Sequence, residues 1–473
     1  MTFVTGHQLA EQRRVAEGRW QELYDETNGS PLALVHTLGL MRVRAALTFA
    51  GALEMLRGNR DADLQKFIFQ EARKELTTND KTALGALSFF VPPATLKAWI
   101  QVANLSRNAL ETTIDRLSAL SLVDVLAGEE RYTLHPLTRA FVRDELLADA
   151  NVARETGMQF VRYWVDYARQ YGWYNYKKYD RLEAEWANLD MVSNWLWEAA
   201  AVKGDTVEYK DAVLMLNDLA DALREFIWFG GRWDECVQLN ARAYDAAIAL
   251  KDWSTAGWRA HDVAWIHFNC GRKREYSLWV ERCTKAWARG GSRLEHAFAS
   301  RMIGLVARQR EDYHAAEQLL QESLTTFREL GNDIWIAIAL NSLGGIARAR
   351  KDYTAAKKYY LEAMELDEKS GNKEGTANRC TNLGWVALYQ EQFSEAHNRF
   401  EQAIPLAHKV GRQDMVAEAQ YGLARVEEAE GRVGLALPLA QEALKINERL
   451  QSKDLAAVRE LVERLERGLK DEG

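Results

Sequence analysis

Proline is scarce in this chain. Its 473 residues include six, and after Pro31, Pro92, Pro93 and Pro136 only Pro405 and Pro438 remain. An interior proline deletes a helical hydrogen bond and clashes with the preceding turn, so the stretch beyond residue 140 suits long uninterrupted helices. Cysteine is equally rare, with Cys236, Cys270, Cys283 and Cys380 and no C-x-x-C pair. That excludes a disulfide framework and fits a reducing, cytoplasmic setting. Positive charge is not in excess, since 61 Lys and Arg face 68 Asp and Glu for a net charge of −7. Bulk binding to nucleic acid or an anionic membrane is therefore not expected. The most membrane-like run, 35–56, carries Arg42 and Arg44 in its middle and is expected to be a core helix. The opening ten residues are mixed and polar, without a signal-peptide pattern.

Catalytic motifs are missing as well. No Gly-Lys dipeptide occurs, so there is no phosphate-cradling loop of the GxxxxGK[ST] kind, and no acidic pair follows an apolar strand. No H-E-x-x-H occurs, and Gly290-Gly-Ser292 lacks the closing glycine of a nucleophile elbow. The chain is expected not to be an enzyme. With 47% hydrophobic and 27% charged residues it is nonetheless ordinary globular protein, long enough for about three domains.

What is present is a repeat of 40 residues. Asn341-Ser-Leu-Gly-Gly-Ile-Ala347 lies one period before Thr381-Asn-Leu-Gly-Trp-Val-Ala387, and Gly304, Gly344 and Gly384 share one slot with Ala264. Tyr313, Tyr353, Phe393 and Val433 share another. Two small-residue slots follow, at Cys236, Ala316, Ala356, Ala396 and Ala436 (with Tyr276 the exception) and at Ala243, Cys283, Ser323, Ala363, Ala403 and Ala443. Gly331, Gly371 and Gly411 mark helix ends, where a left-handed cap is expected. Such a unit is a helical hairpin. Small residues let two helices approach, an aromatic from the second helix fills the remaining groove, and stacked neighbours supply the core. The unit resembles the tetratricopeptide repeat with lengthened helices, over roughly 213–450, followed by a polar capping helix near 453–469. Because Cys236 and Cys283 occupy small-residue slots, both are expected to be core, and the grouping of His267 and Cys270 with Cys283 and His261 is not expected to hold a metal.

The front differs. Thr27-Asn-Gly-Ser-Pro-Leu-Ala-Leu34 is a loop entering an apolar helix with Pro31 in its first turn. Residues 80–147 predict helices at 80–89, 94–102 and 106–120, strands at 122–126 and 131–134 about a turn at Gly128, and a helix at 136–147. That order is a winged-helix pattern. Together, Gly29-Ser-Pro31 and Tyr132-Thr-Leu-His-Pro-Leu-Thr-Arg-Ala-Phe-Val142 resemble the two ARC subdomains of NB-ARC-type STAND ATPases. The resemblance implies that Gly29 and Pro31 lie near the adenine of ADP or ATP. It also implies that His135 donates to the β-phosphate of ADP and holds a resting state closed. Pro136 stands where that motif has an aspartate, which leaves the acid's contact unfilled. Arg181–Asp190 resembles the linker helices of the family. With no phosphate loop here, the nucleotide is expected only in a longer protein that supplies the missing nucleotide-binding domain, and oligomerisation only in its activated form. The expected recognition helix, Ser106–Ser121, offers only Arg107 and Arg116 against Glu111 and Asp115, and residues 1–150 hold 17 basic and 19 acidic residues. DNA binding by this element is not expected.

Twelve of the sixteen tryptophans lie from Trp164 to Trp287, and Trp173-Tyr-Asn-Tyr-Lys-Lys-Tyr179 adds further aromatics. Most are expected to fill grooves between helices. In tetratricopeptide repeats the first helix of each hairpin lines the concave face. Phasing on Gly304 and Gly344 puts Trp258, His261, Trp265 and Phe268 on that stripe, then Phe298, Arg301, Leu305 and Arg308. Ile338, Asn341 and Arg348 follow, then Asn378, Thr381 and Trp385. Asparagine can grip a peptide backbone through donor and acceptor, and arginine can chelate carboxylates. A merely solvated concave face is the bland alternative.

The sequence thus predicts a mainly α protein. Its parts are an ARC-like helical subdomain (1–78), a winged helix (79–150), a helical connector (151–212) and a right-handed tetratricopeptide superhelix (213–473). The resemblance implies the inducer-sensing, autoinhibitory part of a signal-transduction ATPase that binds a protein or small ligand. A non-switching scaffold is the alternative.

Overall fold

The computed structural model describes residues 20–27, 29–58, 64–126, 128, 130–172, 176–201 and 207–471. Met1–Ala10 and Trp173, Tyr174 and Asn175 of the aromatic segment lie outside them. The chain is mainly α and divides into two compact units, one running to Tyr167 with Glu185–Val192, the other comprising Ala168–Ala184 and everything from Ser193 onward. Among the described residues no helix is long and apolar enough to cross a membrane.

The first unit opens with α1 (Trp20–Glu26), α2 (Pro31–Val43), α3 (Phe49–Arg57) and α4 (Leu64–Glu75). α5 (Thr78–Leu87), β1 (Ala94–Thr95), α6 (Leu96–Ala103), α7 (Arg107–Ala119), β2 (Asp124–Leu126), β3 (Arg131–Thr133) and α8 (Pro136–Phe141) follow. The strands form one antiparallel sheet in the order β1-β3-β2, with Ala94 opposite Tyr132 and Val125 opposite Tyr132 on the other edge. β1 was not anticipated, since 94–102 reads as continuous helix. Pro92-Pro93 keeps the chain extended there, and the helix begins only after Thr95, whose hydroxyl accepts from the Ala98 N–H at 3.2 Å. The last helix also stops early, giving way to a π-turn at Val142–Leu146.

Local chemistry explains these elements. Thr77 and Asp80 form a reciprocal capping box at α5. Gly39 on α2 lies against the backbone of Leu120, where a Cβ would meet the carbonyl oxygen at 2.5 Å, so only glycine admits that approach. Trp99 anchors the sheet to the helices, donating to Ala83 O at 2.8 Å and packing on Tyr132. α9 (Ala150–Gly172) carries Phe160 and Trp164 onto Phe90. After α10 (Tyr179–Ala184), the start of α11 (Trp186–Ala201) is tied into this unit by Asn188, which accepts from Val91 N–H at 3.0 Å and donates to Glu185. Glu185 in turn pairs with Arg131 at 2.9 Å.

The second unit is the repeat array. First helices α12 (Val207–Gly230), α14 (Trp253–Asn269), α16 (Arg293–Gln309), α18 (Asp333–Ala349), α20 (Lys373–Tyr389) and α22 (Gln413–Ala429) alternate with second helices. Those are α13 (Trp233–Ala249), α15 (Lys273–Gly290), α17 (Tyr313–Leu330), α19 (Tyr353–Ser370), α21 (Phe393–Val410) and α23 (Val433–Leu450), and α24 (Leu455–Asp471) ends the array. Gly331, Gly371 and Gly411 cap second helices at φ of +69°, +70° and +77°. Asp252, Ser292, Asn332 and Asn372 start first helices by accepting a backbone N–H.

The close approach expected at the glycine slot is present, and an aromatic of the second helix fills it. Tyr360 and Phe400 occupy it, not Tyr353 and Phe393. A Cβ on Gly344 would lie 2.5 Å from Tyr360, and one on Gly384 2.8 Å from Phe400. Tyr353 sits at a helix start and stacks on Tyr389. Cys236 and Cys283 are buried, and burial pushes both thiols up.

His36 on α2 yields a pH test. It is buried against Phe69, and burial, with a smaller contribution from His135, lowers its pKa to about 4 while the Ser121 backbone opposes. A depressed imidazole binds fewer protons folded than unfolded, so its stabilising contribution is present above pH 6.5 and lost as pH falls toward 4, up to about 3 kcal/mol. Chemical denaturation followed between those pH values should show that loss in the wild type and a flatter profile in His36→Leu; equal profiles would contradict the assignment.

Candidate functional site

In the front unit, Gly29 adopts φ +68° beneath Tyr24, and Pro31 takes the first position of α2 behind Ser30, which accepts from Ala33 N–H at 3.3 Å. His135 is exposed at the start of α8, where its Nδ1 accepts from Leu137 N–H at 3.3 Å. Arg139, one turn on, donates to Ser88 O and Phe90 O.

The repeat array holds a chamber of about 710 Å³ lined by all six first helices. His261, Trp265, Arg301, Arg308, Asn341, Arg348 and Asn378 all line it. Trp258 and Trp385 do not. Trp258 turns into the aromatic core, donating to Glu295 Oε1 at 2.9 Å and packing edge-on against Trp287 and Phe298. Trp385 is 6% exposed and packs on Phe400 and Tyr421. Thr381 is also buried, its hydroxyl donating to Ala377 O. Both tryptophans hold slots that line the chamber in other repeats (Phe298, Ile338 and Asn378 for Trp258; Trp265, Leu305 and Gly345 for Trp385), but here the large ring packs against core aromatics instead.

The chamber wall is electrostatically uneven. Asp262 is shared among Arg224, Arg259 and His261, and Arg412 pairs with Glu374 and Asp414. Arg379 pairs with buried Asp367 at 3.1 Å, for which Gly375 makes room, since a Cβ there would lie 2.2 Å from the carboxylate. Three arginines have no such partner. Arg301, 6% exposed, donates Nε–H to Ser342 Oγ at 3.0 Å and lies over the Trp265 ring. Burial draws its pKa down to about 10, with repulsion from Arg379 and Arg308 adding to it. Arg308 lies over Phe268, in space that Gly345 leaves open, because a Cβ there would meet its Nη1 at 2.8 Å. Its pKa is lowered by burial and then by Arg348. The one lining carboxylate near Arg348 and outside these pairs is Glu418, which burial raises and Lys453 lowers. Beside the arginines, Asn382 donates to Asn341 Oδ1 at 2.9 Å and to Asn378 Oδ1 at 3.1 Å.

The chamber is closed by contacts between the two ends of the array. Trp233 Nε1–H donates to Leu450 O, and Lys453 N–H donates to Asn269 O at 2.9 Å. Arg412 lies over Trp228, and Lys453 over Phe268. The turn joining the helices of a hairpin has positive φ at Gly231, Gly271, Glu311, Lys351, Glu391 and Gly431. Middle repeats carry Glu or Lys there at a strain cost. Gly231 and Gly271 face the opposite end of the array, where a Cβ would meet Leu450 Cδ2 at 2.7 Å and Lys453 Cβ at 3.1 Å. Glycine stands at three of these turns, and since Gly431 has open space around it, the sequence alone does not say which of them face another element.

Two tetratricopeptide-repeat family models match the chain, over residues 335–409 and 381–450. The chain therefore carries tetratricopeptide repeats. No curated protein sequence matches it significantly. Among solved structures, a Signal Transduction ATPase with Numerous Domains (STAND) protein with a tetratricopeptide repeat sensor, from Pyrococcus horikoshii, is 15% identical, with a TM-score of 0.42, over 97% of this chain and 67% of that one. A Rap protein complexed with Competence and Sporulation Factor is 10% identical, with a TM-score of 0.43, over 71% of this chain and 94% of that one. NprR in complex with its cognate peptide NprX is 14% identical, with a TM-score of 0.42, over 70% and 94% respectively.

A buried guanidinium without a counter-ion is a stability cost. Arg301→Met, which keeps volume and removes charge, should stabilise the ligand-free protein by about 1 kcal/mol or more, seen as a higher thermal midpoint. A lower midpoint would mean that Arg301 is a structural residue.

Proposed function

We propose that the repeat array is a sensor that holds an inducer in its chamber, and that the front unit is the regulatory part of a STAND signal-transduction ATPase, itself without catalytic chemistry. The observation that carries the sensor half is the closed chamber on the first-helix face. Its volume is that of a site for a small organic ligand or a few peptide residues, not for a folded domain. That favours a ligand inducer over a protein surface seated in the groove.

The regulatory half is supported by element order in 78–146, helix, strand, two helices, two strands, helix, which is that of a winged helix. It is supported too by the Gly29-Ser-Pro31 turn opening α2 and by His135 exposed at the start of α8. An inducer shifts the protein between states only by binding one of them more tightly. Here the states are an array closed around its ligand and an array open at Leu450–Lys453, and the shift is read out as loss of ADP and uptake of ATP, followed by oligomerisation.

Two measurements test this. The chain purified from a bacterial cytoplasm and extracted for mass spectrometry should release a small molecule that is absent from Asn341→Trp, which fills the chamber. Equal yield from both proteins would place the ligand elsewhere. In a protein that also carries the nucleotide-binding domain, His135→Ala should lower retained ADP about tenfold, the worth of one hydrogen bond to a charged group. Unchanged ADP would remove the autoinhibitory role.

A further inference from the structure

We infer that the chamber ligand is a small polyanion, and that Arg301, Arg308 and Arg348 bind its charged groups. This rests on reading the chamber as a ligand site, and it adds the chemical class.

A guanidinium has five N–H donors. Arg301 spends one on Ser342 Oγ, and its others find no protein acceptor among the described residues, although the side chain is more than nine-tenths buried. Arg308 and Arg348 make no side-chain hydrogen bond or ion pair with any described residue, and both line the same chamber. Elsewhere on this wall the protein neutralises its buried arginines, Arg379 through Asp367 and Arg412 through Glu374 and Asp414. The exceptions are therefore local. Three cations face one nearby carboxylate, Glu418, which Lys453 also attracts. Burial and the neighbouring Arg348 both disfavour the charged form of Arg308, so the site improves when an anion enters.

Geometry fixes the cations in place. Arg301 is held over Trp265 and Arg308 over Phe268, and these two rings are themselves stacked at 5.0 Å. Planar, pre-positioned guanidinium groups bind carboxylate or phosphate through paired N–H donors at little entropic cost. The chamber, about 710 Å³, has room for the anionic part of a molecule of about nucleotide size. Phosphate esters and polycarboxylates share this chemistry.

Thermal unfolding of the whole chain is recorded with sodium pyrophosphate, with sodium citrate, and with sodium chloride at matched ionic strength. Pyrophosphate, citrate or both should raise the midpoint beyond chloride, and the larger shift tells phosphate from carboxylate. Titration should show binding weakened about 10- to 100-fold in Arg301→Met and Arg308→Met, variants expected to fold because they remove unpaired charge, with Arg308→Lys in between. No shift beyond chloride overturns the proposal, as does a shift unchanged in both methionine variants. A neutral molecule retained by the wild type and lost in Asn341→Trp, without any anion response, removes the anionic class and leaves the sensor standing. An anion response that survives Asn341→Trp overturns both.

Discussion

Everything in the repeat half depends on two helices approaching at a residue with no room for a side chain. Gly344 against Tyr360 and Gly384 against Phe400 set that approach within a hairpin. Phe400 also abuts Gly422 of the next first helix, which passes the same spacing to the following unit. Because the slot recurs every 40 residues, each hairpin is placed on its neighbour in the same way, and the constant offset curves the array. Curvature is what brings Leu450 and Lys453 back to Trp233 and Asn269. The chamber is thus a consequence of packing repeated in register, and not of any segment dedicated to forming it.

Once the array closes, the first-helix face stops being an ordinary solvated surface. Side chains that would be screened by water on an open face become desolvated on a closed one. The wall responds in two ways. Most of its charges are paired, and the aromatic rings of Trp228, Trp265 and Phe268 each lie under a cation. Arg301, Arg308 and Arg348 remain without carboxylate partners, which costs stability in the empty protein and gains it back when an anion is bound. The same residues then couple ligand to closure, since a ligand touching α16 and α18 reinforces a ring whose seam lies at α13–α14 and the turn before α24.

Much of this was legible in the sequence. The 40-residue period located the array and the glycine ends of its second helices, and eleven of the fourteen residues on the stripe phased on Gly304 and Gly344 line the chamber. What failed was of three kinds. Trp258 and Trp385 hold slots that line the chamber in other repeats but are drawn into the core, because periodicity gives a slot's backbone position and not the side to which a large ring turns. The residues that fill the glycine slot were not named, because Leu320, Tyr360 and Phe400 vary in type and do not stand out as a repeat. The seam went unseen because it joins residues more than 200 positions apart, which no repeat comparison relates. In the front unit, β1 was lost for a local reason, a two-residue strand between a proline pair and a well-capped helix.

The central claim is that the array is closed, and one backbone amide reports on it. Lys453 lies in the turn between α23 and α24, where its neighbours Gln451 and Ser452 donate to the carbonyls of Glu448 and Asn447 in the adjoining helix. The Lys453 N–H instead donates across the seam to Asn269 O. Hydrogen exchange followed at single amides by mass spectrometry should find Lys453 protected in the native protein and exposed, with Ser452 unchanged, when Gly271→Glu crowds the seam. A Lys453 amide that exchanges at the unprotected rate in the native protein would show that the ends of the array do not meet, and the chamber would lose its wall.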